Sequence, residues 1–300
     1  MAIAVNLVSG VVAVATERLV IETEVTWTMV DVTGPMAQGD AHLLEIGSRV
    51  VLIDAGSYVL GRSRLVSYLE AQGIDRLDWV FVSHAHEDHF GGIRALIEAD
   101  IDIGQVEISL PDAEVCRTEI PWGCNENDIR KLLALLHGEQ IPVEEPVAPR
   151  AWHFGPATFE LVQRLDTFAD YAGAIDVNDT SMVLRLDVAD GSVLFTGDLN
   201  TISGEHLMRR ELGLRSTVLL KVPHHGTESL PRDEFFAAID PDIAFVPAGS
   251  ELWRSERSSR PRSWLESRAV PTFVSGDVGH VTVHLGEHLQ IETERGTRQS

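Results

Sequence analysis

Cysteine and basic residues are scarce in this sequence. Its 300 residues include two cysteines, Cys116 and Cys124, whose spacing in CRTEIPWGC matches neither a CxxC redox pair nor a paired zinc clip. We expect two ordinary thiols, with a local disulfide as the alternative. Lysine and arginine total 24 against 46 acidic residues, so the net charge is −22. This charge disfavours a nucleic-acid or anionic membrane partner, although bound dications would reduce it locally.

Long apolar runs are also rare. The first 15 residues, MAIAVNLVSGVVAVA, end in an Ala-Val-Ala that imitates a signal-peptidase site, but no lysine or arginine precedes them. No other stretch is long and apolar enough to span a bilayer. We therefore expect a soluble, cytoplasmic protein without a membrane partner.

The pattern of the remaining sequence is that of an α/β chain. Hydrophobic residues make up 44% and charged residues 23%, so a sizeable core can form. Neither a linker nor a low-complexity segment divides the sequence, and we expect a single domain over residues 1–300. The stretch 111–150 is rich in proline, glutamate and turn residues, and is predicted to be an insertion covering one side of a cleft.

Short β-branched runs alternate with longer amphipathic ones. The predicted strands are Val25 to Val32, Ala41 to Ile46, Val50 to Asp54, Trp79 to Ser83, Thr158 to Arg164, Ser181 to Leu186, Ser192 to Thr196, Thr217 to Val222, Ile243 to Pro247, Thr272 to Ser275 and Val281 to Leu285. The predicted helices are Arg62 to Gln72, Gly92 to Glu98, Asn127 to His137, Thr201 to Leu212 and Arg232 to Ala238.

The strongest chemical signal is FVSHAHEDHFGG, residues 81–92, where a β-rich run ends in three histidines and two carboxylates. In an extended segment residues two apart point the same way, so His84 and His86 can aim at one point. Asp88 and His89 follow at the turn and can serve a second point nearby. A solvated histidine-rich loop explains four potential ligands in six residues poorly. Imidazole and carboxylate together suit Zn²⁺, Mn²⁺ or Fe²⁺.

The HxHxDH pattern resembles the signature of metallo-β-lactamase-fold hydrolases. The resemblance implies a four-layer αββα sandwich and a centre of two divalent ions, with Zn²⁺ expected first and Mn²⁺ or Fe²⁺ as alternatives. It implies metal ligation by His84, His86, Asp88 and His89. Asp54, at the end of the VVLIDAG strand, corresponds to an aspartate that orients the histidine loop, whereas taken alone it is more typical of a turn.

Two later motifs match the same family. Asp198, in SVLFTGDLN, resembles the aspartate that bridges two metals, although a helix N-cap is a compatible alternative. His224 and His225, in LLKVPHHGTES, resemble the last metal-ligand motif. The sequence leaves open which histidine binds metal; we favour His225 as the ligand and His224 as the residue facing substrate.

A narrower resemblance is carried by QGDA at residues 38–41, NDTSMVL at 178–184, FTGDL, LKVPHHGT and GDVGH at 276–280. Together they look like the hydrolase domain of the ComEC/Rec2 competence proteins, a subgroup that resembles phosphorylcholine esterases. The similarity covers roughly residues 25–290. Because the transmembrane channel of the competence proteins is not recognisable here, DNA uptake is not implied.

The sequence departs from β-lactamases and glyoxalases at their third histidine motif. Only His137 and His153 lie between His89 and Asp198, one near a helix end and one in a turn-like setting, and neither is expected to be a ligand. The competence-like subgroup has an asparagine-rich turn here, matched by Asn178 and Asp179. These two are therefore predicted as possible ligands or as residues supporting the metal ligands.

Taken together, these motifs favour hydrolysis of phosphodiesters, such as a nucleotide, a nucleic acid or a phosphocholine-type ester, by a metal-activated hydroxide. Asp88 or a histidine is expected to help protonate the leaving group. One alternative keeps the centre but acts on an ester, lactone or amide, with β-lactams disfavoured by the missing histidine. Two others are a non-catalytic metal-binding scaffold and an iron-dependent redox enzyme, the latter without a visible flavin-binding companion.

Overall fold

The computed structural model describes residues 25–118, 126–165, 175–188, 191–210, 212, 217–227, 230–286 and 289–296. The apolar segment 1–15 and Cys124, on which two of the sequence predictions rest, lie outside the described residues. In the described part of the chain, every helix is too short or too polar to cross a membrane.

The strands form two large sheets and one small one. In chain order they are β1 Val25–Met29, β2 His42–Ile46, β3 Arg49–Ile53, β4 Arg76–Leu77, β5 Trp79–Val82, β6 Asp102–Ile103, β7 Val106–Ile108, β8 Val143–Glu144, β9 Arg150–Phe154, β10 Ala157–Gln163, β11 Val183–Val188, β12 Gly191–Phe195, β13 Thr217–Lys221, β14 Ile243–Val246, β15 Thr272–Val274, β16 Val281–Leu285 and β17 Gln290–Thr293.

The first sheet has eight strands in the order β17-β16-β1-β2-β3-β5-β7-β8, and the second has seven in the order β15-β14-β13-β12-β11-β10-β9. Each sheet is mixed. β3, β5, β7 and β8 run parallel in the first sheet, as do β12, β13, β14 and β15 in the second. The short β4 and β6 pair with each other in parallel.

The helices lie mostly after the parallel strands, because parallel strands need a crossover connection and cannot be joined by a tight turn. They are α1 Tyr58–Leu60, α2 Ser67–Gln72, α3 Glu87–Phe90, α4 Gly92–Glu98, α5 Ala113–Thr118, α6 Glu126–Gly138, α7 Thr201–Leu207, α8 Asp233–Ile239, α9 Ser250–Arg254, α10 Ser259–Ser267 and α11 Ser275–Val278, and a π-helical stretch, Gly61–Val66, joins α1 to α2.

Three hydrophobic clusters separate four layers. The middle cluster fills the space between the two sheets with large aromatic side chains, among them Trp27, Phe81, Phe159, Phe195 and Phe245. A second cluster packs α2, α4 and α6 on the first sheet, and a third packs α7, α8 and α10 on the second. This helix-sheet-sheet-helix arrangement confirms the predicted αββα sandwich.

All eleven predicted strands are present with ends shifted by a few residues, and all five predicted helices are present. The helix predicted as Thr201 to Leu212 ends earlier, at Leu207. The segment predicted to be an insertion contributes α6, whose Leu132 and Leu136 belong to the cluster between the helices and the first sheet.

Two local predictions are wrong. Cys116 is disulfide-bonded, so the expected ordinary thiols give way to the alternative. His153 lies within β9, a separate strand that the sequence pattern did not predict, and contacts Thr158 across the hairpin of β9 and β10. His137 lies in the last turn of α6, where it was expected.

Candidate metal centre

The predicted site residues meet at one edge of the sandwich. Asp54 follows β3 and His84 follows β5 in the first sheet, while Asp198 follows β12 and His224 follows β13 in the second. Because the strands in each pair are parallel, their carboxyl ends lie side by side. The two sheets thus each present polar loops to the same edge, which is where ligands bind in layered α/β folds.

Four side chains form a compact cluster, in which His89, Asp198 and His225 are buried and Asp88 is partly exposed to the cleft. Nε2 of His89 and Nε2 of His225 lie 3.3 Å and 3.0 Å from the same oxygen, Oδ2 of Asp198. Oδ2 of Asp88 lies 3.4 Å from Nε2 of His225. His89 and His225 have no exposed side-chain surface. Both loops of the HxHxDH and HHGT motifs therefore converge on the aspartate of the GDL motif.

The spacing of these donors suits a small dication. A tetrahedral zinc ion with bonds of about 2.0–2.1 Å holds its donors roughly 3.3 Å apart, and the three distances above are close to that value. The Nε2 atoms of His89 and His225 are buried without a hydrogen-bond partner in the described structure. Such buried polar atoms require an explanation, and a bound cation supplies one. The donor set therefore fits a bound divalent metal ion.

His84 and His86 form a second donor pair. Nε2 of His84 lies 3.1 Å from Nδ1 of His86, as expected for side chains two residues apart in extended backbone. The ring of His84 lies 4.1 Å from that of His89, between centroids, so the pair adjoins the four-residue cluster. His84 is fully buried, whereas His86 reaches the cleft.

Asp54 holds the histidine loop from behind. Its carboxylate accepts hydrogen bonds from the backbone and side chain of Ser83, each at 2.7 Å, and lies 2.8 Å from Nδ1 of His89. A carboxylate on Nδ1 fixes the ring so that Nε2 presents its lone pair to the centre. The structure therefore places Asp54 where the sequence predicted an orienting residue.

Asp40 and Lys221 are part of the centre but received no role in the sequence analysis. Oδ1 of Asp40 lies 3.2 Å from Nδ1 of His225, and Oδ2 lies 2.5 Å from Nζ of Lys221. Asp40 also belongs to a group of four possible donors, with His89, Asp198 and His225, within 4.8 Å of one another. Since Asp40 faces the Nδ1 sides of both rings, it lies behind them.

The two neighbouring histidines have different environments. His225 is buried in the cluster, whereas His224 lines the cleft. Nδ1 of His224 lies 3.1 Å from the amide oxygen of Asn200, whose nitrogen donates to Asp176. Both histidines have positive φ angles, 47° and 52°, in the left-handed region. Such strained conformations are typical of functional turns.

The turn at Asn178 and Asp179 contributes one residue to the cleft. Asn178 is 6% exposed, lines the cleft, and has a buried amide oxygen without a hydrogen-bond partner in the described structure. Asp179 points elsewhere, because its carboxylate accepts from the backbone and hydroxyl of Ser203. The structure thus brings Asn178 to the centre and places Asp179 under α7.

The charges of the metal-free cluster compensate one another. Burial opposes the charged form of His89 and His225, but the nearby Asp198, together with Asp54 or Asp40, holds the pKa of each well above its usual value. Burial likewise works against ionisation of Asp88 and Asp198, yet the histidines hold the pKa of both carboxyls well below the usual range. Burial and the neighbouring His89 lower the pKa of His84.

A solvent-filled cleft of about 680 Å³ opens onto the centre. Asp88, Asp198 and His224 lie on its floor, and Met36, Leu60 and Phe90 form an apolar part of its wall. Glu87, Asp128 and Asp176 add negative charge, and Arg257 is the one cation among the described lining residues. The cleft is therefore acidic apart from Arg257, and substrate would enter it directly above the cluster.

The family follows from a match over most of the chain. Residues 34–250 match the model of the metallo-beta-lactamase superfamily, and this span contains the whole cluster. The chain belongs to the metallo-beta-lactamase superfamily. With the buried donor cluster, this membership identifies an enzyme of the metallo-β-lactamase fold, a metal-dependent hydrolase.

The curated relatives are competence and recombination proteins. The chain is 28% identical over 193 residues to ComE operon protein 3 of Bacillus subtilis, which is 64% of this chain and 22% of that protein. It is 27% identical over 258 residues to Recombination protein 2 of Haemophilus influenzae, 82% of this chain and 28% of that protein. The resemblance to ComEC/Rec2 competence proteins is confirmed, and the chain spans about a quarter of their length.

Among solved structures, the metallo-beta-lactamase fold protein YhfI from Bacillus subtilis has a TM-score of 0.54 at 14% identity. The match covers 90% of this chain and 99% of that one. At this identity the likeness concerns the fold. It agrees with the four layers described above.

Proposed function

We propose that this protein hydrolyses phosphodiester bonds of small substrates at a centre of two divalent ions. The observation that supports this is the convergence of His89, His225 and Asp88 on Asp198 directly beneath an open cleft. Such a buried donor set has little structural purpose at the floor of a cleft, because unpaired polar groups there are costly without a cation.

We assign the residues of the cluster to two metal positions. His89, His225, Asp88 and Asp198 would hold one ion, and His84 with His86 would hold the other, sharing Asp198. Divalent ions bound there supply Lewis-acid stabilisation and lower the pKa of water from about 16 toward neutrality. Imidazole with carboxylate favours Zn²⁺, and Mn²⁺ or Fe²⁺ are the alternatives.

His224 is the residue we assign to proton transfer. Its Nδ1 faces an acceptor, the oxygen of Asn200, so Nδ1 carries the proton and Nε2 presents a lone pair to the cleft. Burial lowers the pKa of His224 to about 4, so the ring is neutral near pH 7. A neutral ring in this position can accept a proton from the attacking water and return it to the leaving group.

Asp88 is better suited to metal binding than to leaving-group protonation. Despite its burial, the histidines of the cluster hold its pKa below the usual range, so its carboxyl is ionised at neutral pH. Gln38 donates to its Oδ2 at 3.2 Å, which fixes the carboxylate beside His225. The proton-transfer role predicted for Asp88 or a histidine therefore belongs to His224 in this proposal.

The cleft favours a small substrate over long nucleic acid. The name of one relative, Recombination protein 2, points to nucleic-acid metabolism, which supports a phosphodiester as the scissile group. However, the acidic lining and the net charge of −22 repel a phosphate backbone outside the immediate reach of the metals. Cyclic nucleotides, dinucleotides and phosphocholine-type diesters each combine a single phosphodiester with little additional charge.

A cytoplasmic location remains a prediction. The disulfide at Cys116 weighs against it, because stable disulfides are rare in the reducing cytosol. Quantification of free thiols in protein isolated under alkylating conditions would show whether Cys116 is disulfide-bonded or reduced in the cell.

Hydrolysis of bis(p-nitrophenyl) phosphate tests the proposed reaction. The protein is stripped of metal and reloaded with Zn²⁺ or Mn²⁺, and Asp198→Ala is compared with Asp233→Ala, which removes an exposed carboxylate paired with Arg260. We expect metal-dependent turnover that is lost in Asp198→Ala and retained in Asp233→Ala.

Other results would redirect the assignment. Two bound ions per chain without phosphodiester turnover would exclude the proposed substrate class, and esters, lactones and amides would then be tested at the same centre. The apolar wall formed by Met36, Leu60 and Phe90 is compatible with such neutral substrates. A chain that binds no metal would support the non-catalytic scaffold.

A further inference from the structure

Lys221 is a charged side chain buried beneath the centre. Its side chain is 1% exposed, and it is one of only two lysines in the sequence, the other being Lys131. On β13, Leu219 faces the space between the sheets and Leu220 faces the helices. Lys221 has the same parity as Leu219, so its side chain enters the centre from the inter-sheet core.

The ammonium group has a complete set of acceptors. Nζ lies 2.6 Å from the backbone oxygen of Gly197, 3.3 Å from Oδ1 of Asp198 and 2.5 Å from Oδ2 of Asp40. The first two contacts are hydrogen bonds and the third is an ion pair, so the ammonium is surrounded by three acceptor oxygens. The backbone oxygen of Lys221 accepts from the hydroxyl of Thr196 at 2.8 Å, which fixes the residue at its base.

These contacts close a ring around His225. Lys221 binds one oxygen of Asp40 and one oxygen of Asp198. The other oxygen of Asp40 lies 3.2 Å from Nδ1 of His225, and the other oxygen of Asp198 lies 3.0 Å from Nε2 of the same ring. Each carboxylate thus divides its two oxygens between the lysine and the histidine.

We propose that Lys221 is a positioning residue that determines how the centre presents its metal ligands. By occupying Oδ1 of Asp198, it leaves Oδ2 as the oxygen that meets His89 and His225. By holding Asp40, it orients His225 so that Nε2 faces the metal position. This inference rests on the metal centre of the proposed function, but not on its substrate.

Lys221 acts through other residues and does not touch substrate. The described lining of the cleft includes Asp88, Asp198 and His224 but neither Asp40 nor Lys221. A purely stabilising role is also a poor explanation, because buried ion pairs are often replaced by apolar side chains without loss of stability.

Simple electrostatics predicts the opposite effect on metal binding. A cation next to the centre repels a dication, so removal of Lys221 should strengthen metal binding if charge alone matters. If Lys221 positions the ligands, its removal should weaken binding by about 10- to 100-fold, as for other residues that support metal ligands. The sign of the change therefore separates the two explanations.

The test is metal affinity without substrate. Zn²⁺ affinity is measured by competition with a chromophoric chelator, and the ligand geometry by the visible absorption of the Co²⁺-loaded protein. Lys221→Met is compared with Lys131→Met, which removes the other lysine, exposed on α6 and paired with Asp128. We expect Lys221→Met to bind Zn²⁺ about 10- to 100-fold more weakly with a changed Co²⁺ spectrum, and Lys131→Met to match the wild type.

A charge-balanced variant covers the case in which Lys221→Met does not fold. Lys221→Gln combined with Asp40→Asn removes both charges of the pair and leaves neither buried alone. We expect the same loss of affinity in this double variant. Equal or tighter Zn²⁺ binding in a folded variant, with an unchanged Co²⁺ spectrum, would overturn the proposal. Failure of the wild type to bind any metal would instead refute the metal centre itself.

Discussion

Both carboxylate oxygens of Asp176 lie 2.9 Å from the amide nitrogen of Asn200. Since a carboxylate only accepts, this contact fixes the orientation of the amide and turns its oxygen toward His224. Asp176 therefore determines, through Asn200, which ring nitrogen of His224 carries the proton. The site carries three such supports, at His89 through Asp54, at His225 through Asp40 and at His224 through Asn200.

Removal of the amide should reduce turnover without loss of metal. We expect Asn200→Ala to lower kcat about 10- to 100-fold, because His224 would no longer be held in one tautomer. Metal content, measured by mass spectrometry of the desalted protein, should stay at the wild-type value. Asn127→Ala, at an exposed position on α6, serves as the control. Full activity of the Asn200→Ala protein would show that Asn200 does not control the tautomer of His224.

Substitution of the adjacent histidines should separate binding from proton transfer. We expect His225→Ala to lose metal affinity, because the cluster loses the ligand nearest to Asp198. We expect His224→Ala to retain metal and to lose turnover by about 10²- to 10⁴-fold, the usual contribution of a general acid or base. Each variant is the control for the other. If His224→Ala loses at least as much metal as His225→Ala, then His224 is the metal ligand and His225 is the residue for proton transfer.

The stability of the metal-free protein should fall as the pH rises above about 6.5, the usual histidine pKa. In the folded protein the pKa values of His89 and His225 are raised. Their contribution to the free energy of unfolding is therefore complete below the pKa of an unfolded histidine, and it is lost as the pH rises through the pKa of the folded state. His84 and His224 have lowered pKa values and are neutral in both states in this range.

Thermal unfolding in the presence of a chelator measures this effect. Between about pH 6.5 and pH 9, the metal-free Tm should decrease, while the increase in Tm on adding Zn²⁺ should grow because the ligands must be deprotonated. A metal-free Tm that is constant or rises over this range would show that the cluster does not carry the extra protons.

Gly276 should not tolerate a side chain. A Cβ atom there would lie 2.4 Å from the backbone nitrogen of Ser250 and 2.7 Å from the backbone oxygen of Ala248. We expect Gly276→Ala to destabilise the protein by about 1–3 kcal/mol, the usual cost of overpacking. Gly138→Ala, at the end of α6 with open space around it, should be neutral or slightly stabilising. Urea unfolding of both variants gives the comparison.

The sequence was most informative about strands inside the two sheets. A strand such as Trp79–Val82 is a continuous apolar run and one such as Val281–Leu285 alternates apolar with polar residues, and all eleven strands predicted from these two patterns are present. Six of the described strands were not predicted, and three of these, β4, β6 and β8, contain two residues each, too few to show a period of two. The unpredicted α10 begins SRPRS, which has little helical signal, and its helix depends on packing of Trp264 and Leu265.

Short motifs located the donors of the centre and one of their supports, Asp54, but not Asp40, Lys221 or Asn200. HxHxDH placed four donors together because chain neighbours stay close in space. Asp40 and Lys221 lie 181 residues apart, and their contact requires both sheets to be docked. One signal was available: Lys221 follows Leu219 at the spacing of a shared strand face, and a lysine on a buried face needs a partner.

The centre takes donors from both sheets, with His84 to His89 on loops of the first and Asp198 and His225 on loops of the second. A cation bound there would add metal-ligand bonds to the Asp40–Lys221 ion pair and the apolar contacts that already hold the two layers together near this edge. The cation would therefore act as a cross-link between the two sheets. Pulling the two sheets apart would have to break metal-ligand bonds before the aromatic layer between them could open, so metal occupancy would set the order in which the layers separate under load.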